Sequence, residues 1–151
     1  MKVLLVGGIA CACASLLHIL IMIGGADWYR LFGAGEETAR LVEQGSLEPL
    51  VSISFITIVL AIFSFYAIYG ALRGPFLPFF RAIMSLISAL FMIRGIIGIP
   101  MVLWIDNPYM AELRDRMLFM SLTSLVSFSI GGCYLYGLFK IMRRRKIEPN
   151  P

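Results

Sequence analysis

The sequence predicts an all-α, polytopic membrane protein whose four transmembrane helices form a bundle. Hydrophobic residues make up 60% of its 151 residues and charged residues only 15%, whereas soluble domains average about 45–50% and about 25%. Four apolar runs are each long enough to cross a hydrocarbon core of about 30 Å as a helix. Basic residues cluster in the short flanks of these runs, as membrane topology requires. We therefore expect a single membrane domain over residues 1–151.

The expected spans are 3–24, 50–72, 77–105 and 117–139. The first resembles a signal peptide or a lipoprotein leader in part, because Lys2 precedes an apolar run that contains alanines and cysteines. The run continues well past them to Gly24, so we expect an uncleaved helix. Pro100 predicts a tilt or a kink near the end of the third span. A basic tail, 140–151, follows the fourth.

The charges of the loops predict the orientation of the chain. The first loop, 25–49, has two basic and five acidic residues, and the third, 106–116, has two and three, so both are negative. The second loop carries Arg73 and Arg81, and the tail has five basic residues and one acid. Because positive flanks stay in the cytoplasm, we expect both termini to be cytoplasmic and the protein to lie in the cell inner membrane.

A short interfacial helix is expected over residues 36–44 of the first outer loop. Its apolar residues, such as Ala39 and Leu41, can rest on the membrane surface. Gly45 can end this helix, and Ser46 can cap the second spanning helix.

Two readily ionisable side chains lie inside the spans, His18 and Arg94. A charge near the bilayer centre costs about 2.5–3.5 kcal/mol on insertion scales, so by default it faces the bundle interior and has a partner. Arg94 is either a packing device, bonded to backbone carbonyls or an acid, or an anion or headgroup anchor in a polar cavity. Glu48 and Asp106 are its candidate partners.

Small and polar residues line one face of several spans, which is the kind of face that packs helix against helix in lipid. We expect most of them only to pack. The polar residues nevertheless concentrate in the outer half, on the side of the acidic loops. They predict a polar pocket open to the outside, with Arg94 as its floor and His18 on its wall. Further candidate lining residues are Glu48, Ser54, Thr57, Ser121 and Ser124.

The first outer loop begins with GGADWYRLFGAGEE, residues 24–37. Aromatic residues at this depth favour an interfacial anchor in the headgroup zone, and a lid over the pocket is the alternative. The candidate residues are Asp27, Trp28, Tyr29, Arg30 and Glu36. The segment follows no strand and lacks the lysine and hydroxyl of a phosphate loop, so a nucleotide site is not expected.

This segment, a histidine in the first span and the Arg94–Gly95 pair in the third resemble small bacterial inner-membrane proteins with four helices. The likeness covers the first loop best and the fourth helix least. It implies a four-helix inner-membrane fold and no particular activity.

Several classes of function are disfavoured. The cysteines, Cys11, Cys13 and Cys133, all lie in spans, so an outer-loop cysteine pair of a thiol–disulfide enzyme is excluded. One histidine cannot supply bis-histidine haem ligation, although His/Met ligation or a dimer sharing two copies of His18 keeps haem open. Small multidrug exporters are similar to this chain in size class only, because they carry an acidic residue in the first helix, where this chain has His18. The sequence shows neither a cluster of metal ligands nor a G-x-S-x-G motif.

The leading functional prediction is a non-enzymatic membrane protein that binds a lipid, a quinone or a partner helix in its outer-half pocket, or acts as an accessory subunit. The alternative is a small transporter or membrane enzyme in which His18 carries protons, since histidine titrates near neutral pH, and Arg94 anchors an anion. Expected partners are membrane lipids and a second copy or a larger membrane complex, without nucleic acid. We predict no metal and no resident cofactor, with haem and quinone left open.

Overall fold

The computed structural model describes residues 2–147, and this part of the chain is helical without any strand. Its helices are α1 (Lys2–Gly24), α2 (Ala26–Leu31), α3 (Glu36–Glu43), α4 (Glu48–Leu72), α5 (Phe80–Trp104), α6 (Pro108–Arg114) and α7 (Met117–Ile147). Four of them, α1, α4, α5 and α7, are long and apolar enough to cross a membrane. The prediction of an all-α chain with four such helices is confirmed.

The helix ends differ most from the expected spans at two places. The third helix begins at Phe80 rather than at residue 77, because two prolines precede it and Phe79 has a left-handed φ of 52°, which a helix cannot contain. The fourth helix continues beyond residue 139 into the basic tail. Pro100 lies inside α5, which runs on to Trp104.

The long helices form two pairs. α1 packs along α4, and α5 packs along α7. The pairs meet where α1 contacts α7, whereas α4 and α5 scarcely touch. The main buried cluster lies toward the basic end of the bundle and consists of Leu4, Ala67, Phe80, Met84, Ile87, Ile130, Tyr134, Leu138 and Ile141.

Small and polar residues let the paired helices approach closely. Ser64 Oγ donates to Gly8 O at 2.9 Å, and Ser88 Oγ donates to Gly131 O at 3.0 Å. A Cβ at Gly131 would lie 2.7 Å from Met92 Cγ, so the space beside it has no room for a side chain. These two hydroxyls thus bond a carbonyl of the neighbouring helix, which is the packing role that such residues have in lipid.

Three short helices occupy the acidic-loop end of the bundle. α3 is the short helix expected in the first loop, and it is followed by Gly45 with a φ of 73°. α2 and α6 were not expected. α6 begins at Pro108, and Asn107 caps it by accepting a hydrogen bond from Met110 N at 2.7 Å. An Asn-Pro pair is a normal helix-start signal, so the sequence did carry a sign of this helix.

Candidate functional site

A cavity of about 460 Å³ opens at the acidic-loop end between α1, α3 and α4. His18 of α1, Glu48 of α4 and Arg94 of α5 all line it, together with Tyr109 of α6. The structure therefore brings three of the residues suggested for the pocket to one cavity. Its size is within the range of about 300–1,000 Å³ that is usual for small-molecule sites.

A second cavity, of about 360 Å³, lies on the other side of Arg94 and Tyr109. Apart from these two residues and Gly98, its lining is apolar and comprises Leu90, Ile93, Ile97, Met101, Val102, Met110, Leu113 and Met120. Because Arg94 and Tyr109 line both cavities, they stand where a polar space meets an apolar one.

Arg94 lies ten residues before the end of α5 at Trp104, which is about 15 Å along a helix. Its side chain is exposed, and Nη1 lies where a Cβ of Gly98 would be placed, four residues nearer the acidic-loop end. Within residues 2–147, no carboxylate oxygen lies within 4.0 Å of its guanidinium, and the group makes no hydrogen bond. The suggested ion pair with Glu48 or Asp106 is thus not formed.

Ser124 is the polar neighbour of Arg94. Its side chain is 3% exposed, and Oγ lies 2.7 Å from the position that a Gly98 Cβ would take, next to Arg94 Nη1. In the described part of the chain, this hydroxyl has no hydrogen-bond partner. A buried hydroxyl without a partner costs free energy of folding. The Ser124 hydroxyl is therefore available to donate or accept a hydrogen bond at this place.

The other hydroxyls suggested for the pocket line neither of these two cavities. Ser54 Oγ donates to Met22 Sδ at 3.7 Å, and Thr57 Oγ1 donates to Ile53 O at 2.7 Å. Both therefore serve helix packing or their own helix. Ser121 is exposed on α7.

His18 is half-buried, and its Nδ1 lies 2.8 Å from Ala14 O. A carbonyl oxygen can only accept, so Nδ1 must carry the proton in this bond. The neutral ring then has its lone pair on Nε2, which makes no hydrogen bond to any residue in the 2–147 range. His18 can accordingly offer one acceptor nitrogen to the cavity that it lines.

Arg30 organises the first loop. Its guanidinium bonds both carboxylate oxygens of Glu36 at 2.8 Å, and it also pairs with Glu43 at 2.8 Å and Asp27 at 3.2 Å. The Arg30 side chain is only 29% exposed within this cluster. Its hydrogen bonds hold the pKa of Glu36 below its ordinary value, and the carboxylates raise the pKa of Arg30. α2 and α3 are thus folded around one arginine.

Hydrogen bonds to backbone atoms join the first loop to the third. Tyr109 Oη donates to Gly33 O at 3.1 Å, and Glu112 Oε2 accepts from Glu36 N at 2.9 Å. Arg116 Nη1 donates to Arg30 O at 2.6 Å. The two loops form one layer, and its residues Tyr29, Phe32, Gly33, Ala34, Thr38, Leu41 and Tyr109 contribute to the lining of the larger cavity. The sequence did not predict that the third loop contributes to this layer.

Tyr29 and Trp28 have different surroundings. We expected both in the headgroup zone, but Tyr29 is 4% exposed and packs with Ile21, Ala39 and Ile53. Its ring fills the space between α1, α3 and α4, so Tyr29 packs between helices and is not at the surface of the protein. Trp28 is 37% exposed, and its ring lies 5.7 Å from that of Phe32.

The site brings together three polar groups. Among the described residues, the Arg94 guanidinium has no carboxylate within 4.0 Å and His18 Nε2 makes no hydrogen bond. The third group is the Tyr109 phenol, whose pKa is raised mainly by burial. No group of three His, Cys, Asp or Glu residues within 2–147 could hold a metal ion. No protein-family model, curated protein or solved structure matches this chain, so its function has to be argued from its own residues.

Proposed function

We propose that this protein is an inner-membrane protein that binds an amphipathic anion in the outer half of its helix bundle, with Arg94 as the anchor of the anionic group. The observation that carries the proposal is the free guanidinium of Arg94, in the middle of a helix of spanning length and between a polar and an apolar cavity.

Electrostatics supports an anionic ligand. An arginine within a bilayer is costly, and such residues are normally paired. Arg94 has no carboxylate within 4.0 Å in the described part of the chain, so a bound anion would be the partner that balances its positive charge. A guanidinium binds carboxylates and phosphates through two parallel hydrogen bonds.

The cavities support an amphipathic ligand. A headgroup on Arg94 would have His18 and Glu48 nearby in the larger cavity, whereas a hydrocarbon tail would suit the methionines and isoleucines of the smaller one. The nearby Ser124 hydroxyl is a further candidate donor to the headgroup after a small local shift.

The membrane setting of the proposal follows from charge. Eight of the nine acidic residues lie in the first and third loops, and the second loop and the tail are basic. We propose cytoplasmic termini, outer first and third loops, and an interfacial position for α3.

The test uses three probes with the full-length protein in an uncharged detergent, with binding measured by native mass spectrometry. Oleate has a charge and a tail, oleyl alcohol lacks the charge, and acetate lacks the tail. We expect oleate to bind most tightly and Arg94→Gln to weaken its binding about 10- to 100-fold, which corresponds to a lost charged hydrogen bond of about 1.5–3 kcal/mol. Arg81→Gln, in the same helix and outside both cavities, should leave it unchanged.

Two further variants separate binding from folding. Arg94→Lys keeps the charge but not the fork of donors, so it should bind oleate more weakly than the wild type and more tightly than Arg94→Gln. Gly98→Ala keeps Arg94 and displaces its Nη1, and should also weaken binding, whereas a Cβ at Gly132 meets open space and Gly132→Ala should not. Equal binding of oleate and oleyl alcohol would contradict the proposal and favour a neutral ligand such as a quinone.

Proton-coupled transport of the same anion is the second candidate function. It is favoured by one observation, the Nε2 atom of His18 without a hydrogen-bond partner within residues 2–147, because that atom can take up a proton. In liposomes with an imposed pH gradient, protonated oleic acid crosses the bilayer and carries protons by itself. Transport therefore predicts proton movement in excess of that in protein-free liposomes with oleate, and this excess should be lost in His18→Gln. A binding protein would give no excess.

A further inference from the structure

We propose a second site at the opposite end of the bundle, where a cleft between the start of α1 and the end of α7 binds the phosphate headgroup of an anionic phospholipid. The proposal is independent of the Arg94 pocket and requires only that the four long helices span a bilayer.

The cleft has a volume of about 280 Å³ and is lined by Lys2, Val3, Leu4, Tyr136, Gly137 and Lys140. Its two lysines are 138 residues apart in the sequence, so only the folded bundle brings them together. Gly137 permits this, because a Cβ there would lie 2.8 Å from Leu4 Cβ and would push α1 and α7 apart. The cleft is therefore built by close helix packing at its floor.

Its charge is not neutralised within the described residues. Neither lysine has a carboxylate within 4.0 Å there, and all acidic residues of that part of the chain lie in the loops at the other end. Lys140 Nζ lies 5.9 Å from the centre of the Tyr136 ring, a cation–π contact that keeps it on the cleft. A phosphodiester has two non-bridging oxygens, so one phosphate can accept a hydrogen bond from each of the two ammonium groups.

A phospholipid fits better than a soluble phosphate. The cleft lies at the end of spanning helices, and its apolar rim continues into exposed residues of α1 and α7, such as Val6 at 60% and Phe139 at 63% exposure. Acyl chains would cover these side chains while the headgroup takes the lysines. Basic pockets between transmembrane helices are known to bind acidic lipid headgroups.

The experiment compares phosphatidylglycerol with phosphatidylcholine, titrated into the full-length protein in uncharged detergent and counted by native mass spectrometry. We expect the first phosphatidylglycerol to bind at least tenfold more tightly than phosphatidylcholine. The double variant Lys2→Gln/Lys140→Gln should abolish this preference. The matched control Arg73→Gln/Arg81→Gln removes the same charge from the same end, at exposed positions outside the cleft, and should keep it.

The remaining outcomes decide between the alternatives. Lys2→Arg/Lys140→Arg should retain the preference, because both positive charges remain, and Arg94→Gln should retain it because the two sites are separate. Equal loss in both glutamine double variants would mean a diffuse basic surface and would overturn the proposal. Competition by glycerol 3-phosphate at the same concentration as the lipid would identify a soluble phosphate site and would overturn the lipid assignment.

Discussion

Gly98 determines where the charge of Arg94 lies. With no side chain at this position, the guanidinium fits against α5 and beside the buried Ser124 hydroxyl. Any larger residue would meet both groups. The position of a charged group in the middle of the bundle therefore depends on the absence of a methyl group in the next turn of the helix.

The two buried serines Ser124 and Ser88 should respond differently to replacement by alanine. Ser88→Ala removes the bond to Gly131 O at 3.0 Å and should lower the free energy of unfolding by about 0.5–1.5 kcal/mol. Ser124→Ala removes a hydroxyl without a partner in the described residues, so it should leave that free energy unchanged or raise it by up to about 1 kcal/mol. Unfolding in mixed detergent, followed by circular dichroism, measures both; an equal loss would contradict the assignment.

The few polar residues within the apolar spans predicted part of the site. His18 and Arg94 stand out in their spans because lipid makes such residues costly, and the structure places both on one cavity with Glu48. The geometry of Arg94 could not be predicted in this way, since the distance of its guanidinium from every carboxylate in residues 2–147 depends on how the helices pair. The contribution of Tyr109 could not be predicted either, because its bond to Gly33 O is set by tertiary packing.

At the scale of elements, the length of a helix decides whether the sequence could predict it. The four long helices follow from runs of about 20 apolar residues. α2 and α6 have six and seven residues, too few to form alone in water. They are helical because Arg30, Tyr109 and Arg116 hold the loops together.

The layer formed by α2 and α3 should be sensitive to acid but not to mild changes of pH. Glu36 has a lowered pKa because Arg30 bonds its carboxylate, so its contribution is present above the ordinary glutamate pKa of about 4.3 and is lost as the pH falls through the lower folded value. In a Trp104→Phe variant, Trp28 fluorescence should be constant from about pH 8 to about pH 5 and change only below about pH 4.

Two arginine variants provide the controls for this titration. Arg30→Gln should move the change toward the ordinary glutamate pKa, because the bonds that lower it are gone. Among the described residues, Arg40 forms an ion pair only with Glu37, at 3.5 Å. Its charge is the smallest of the causes that act on the pKa of Glu36, so Arg40→Gln should move the profile less than Arg30→Gln does. A profile that is the same in all three proteins would show that Glu36 does not control the layer.

At the scale of the whole molecule, charge and packing are both polarised. The acidic residues of the described part lie at one end and the basic loop and lysine cleft at the other. The helix pairs α1/α4 and α5/α7 are joined through α1 and α7, which leaves α4 and α5 apart on the other side.

The proposed orientation predicts which loops a membrane-impermeant maleimide can reach in intact cells. In a background with Cys11, Cys13 and Cys133 replaced by alanine, Glu37→Cys in the first loop should be labelled from outside. Arg73→Cys in the second loop should be labelled only after the inner membrane is permeabilised. Both positions are exposed, so burial does not protect either, and the reverse pattern would invert the topology.

The bonds between the first and third loops also fix when the larger cavity can be completed during synthesis. A chain emerges from its N-terminus, so α2 and α3 are made long before Tyr109, Glu112 and Arg116, to which they bond. The wall of this cavity therefore stays unfinished until α1, α4, α5 and α6 have all been made. A chain that stalls earlier cannot close the cavity, so a ligand of the kind proposed would be bound only by chains whose synthesis has passed Arg116.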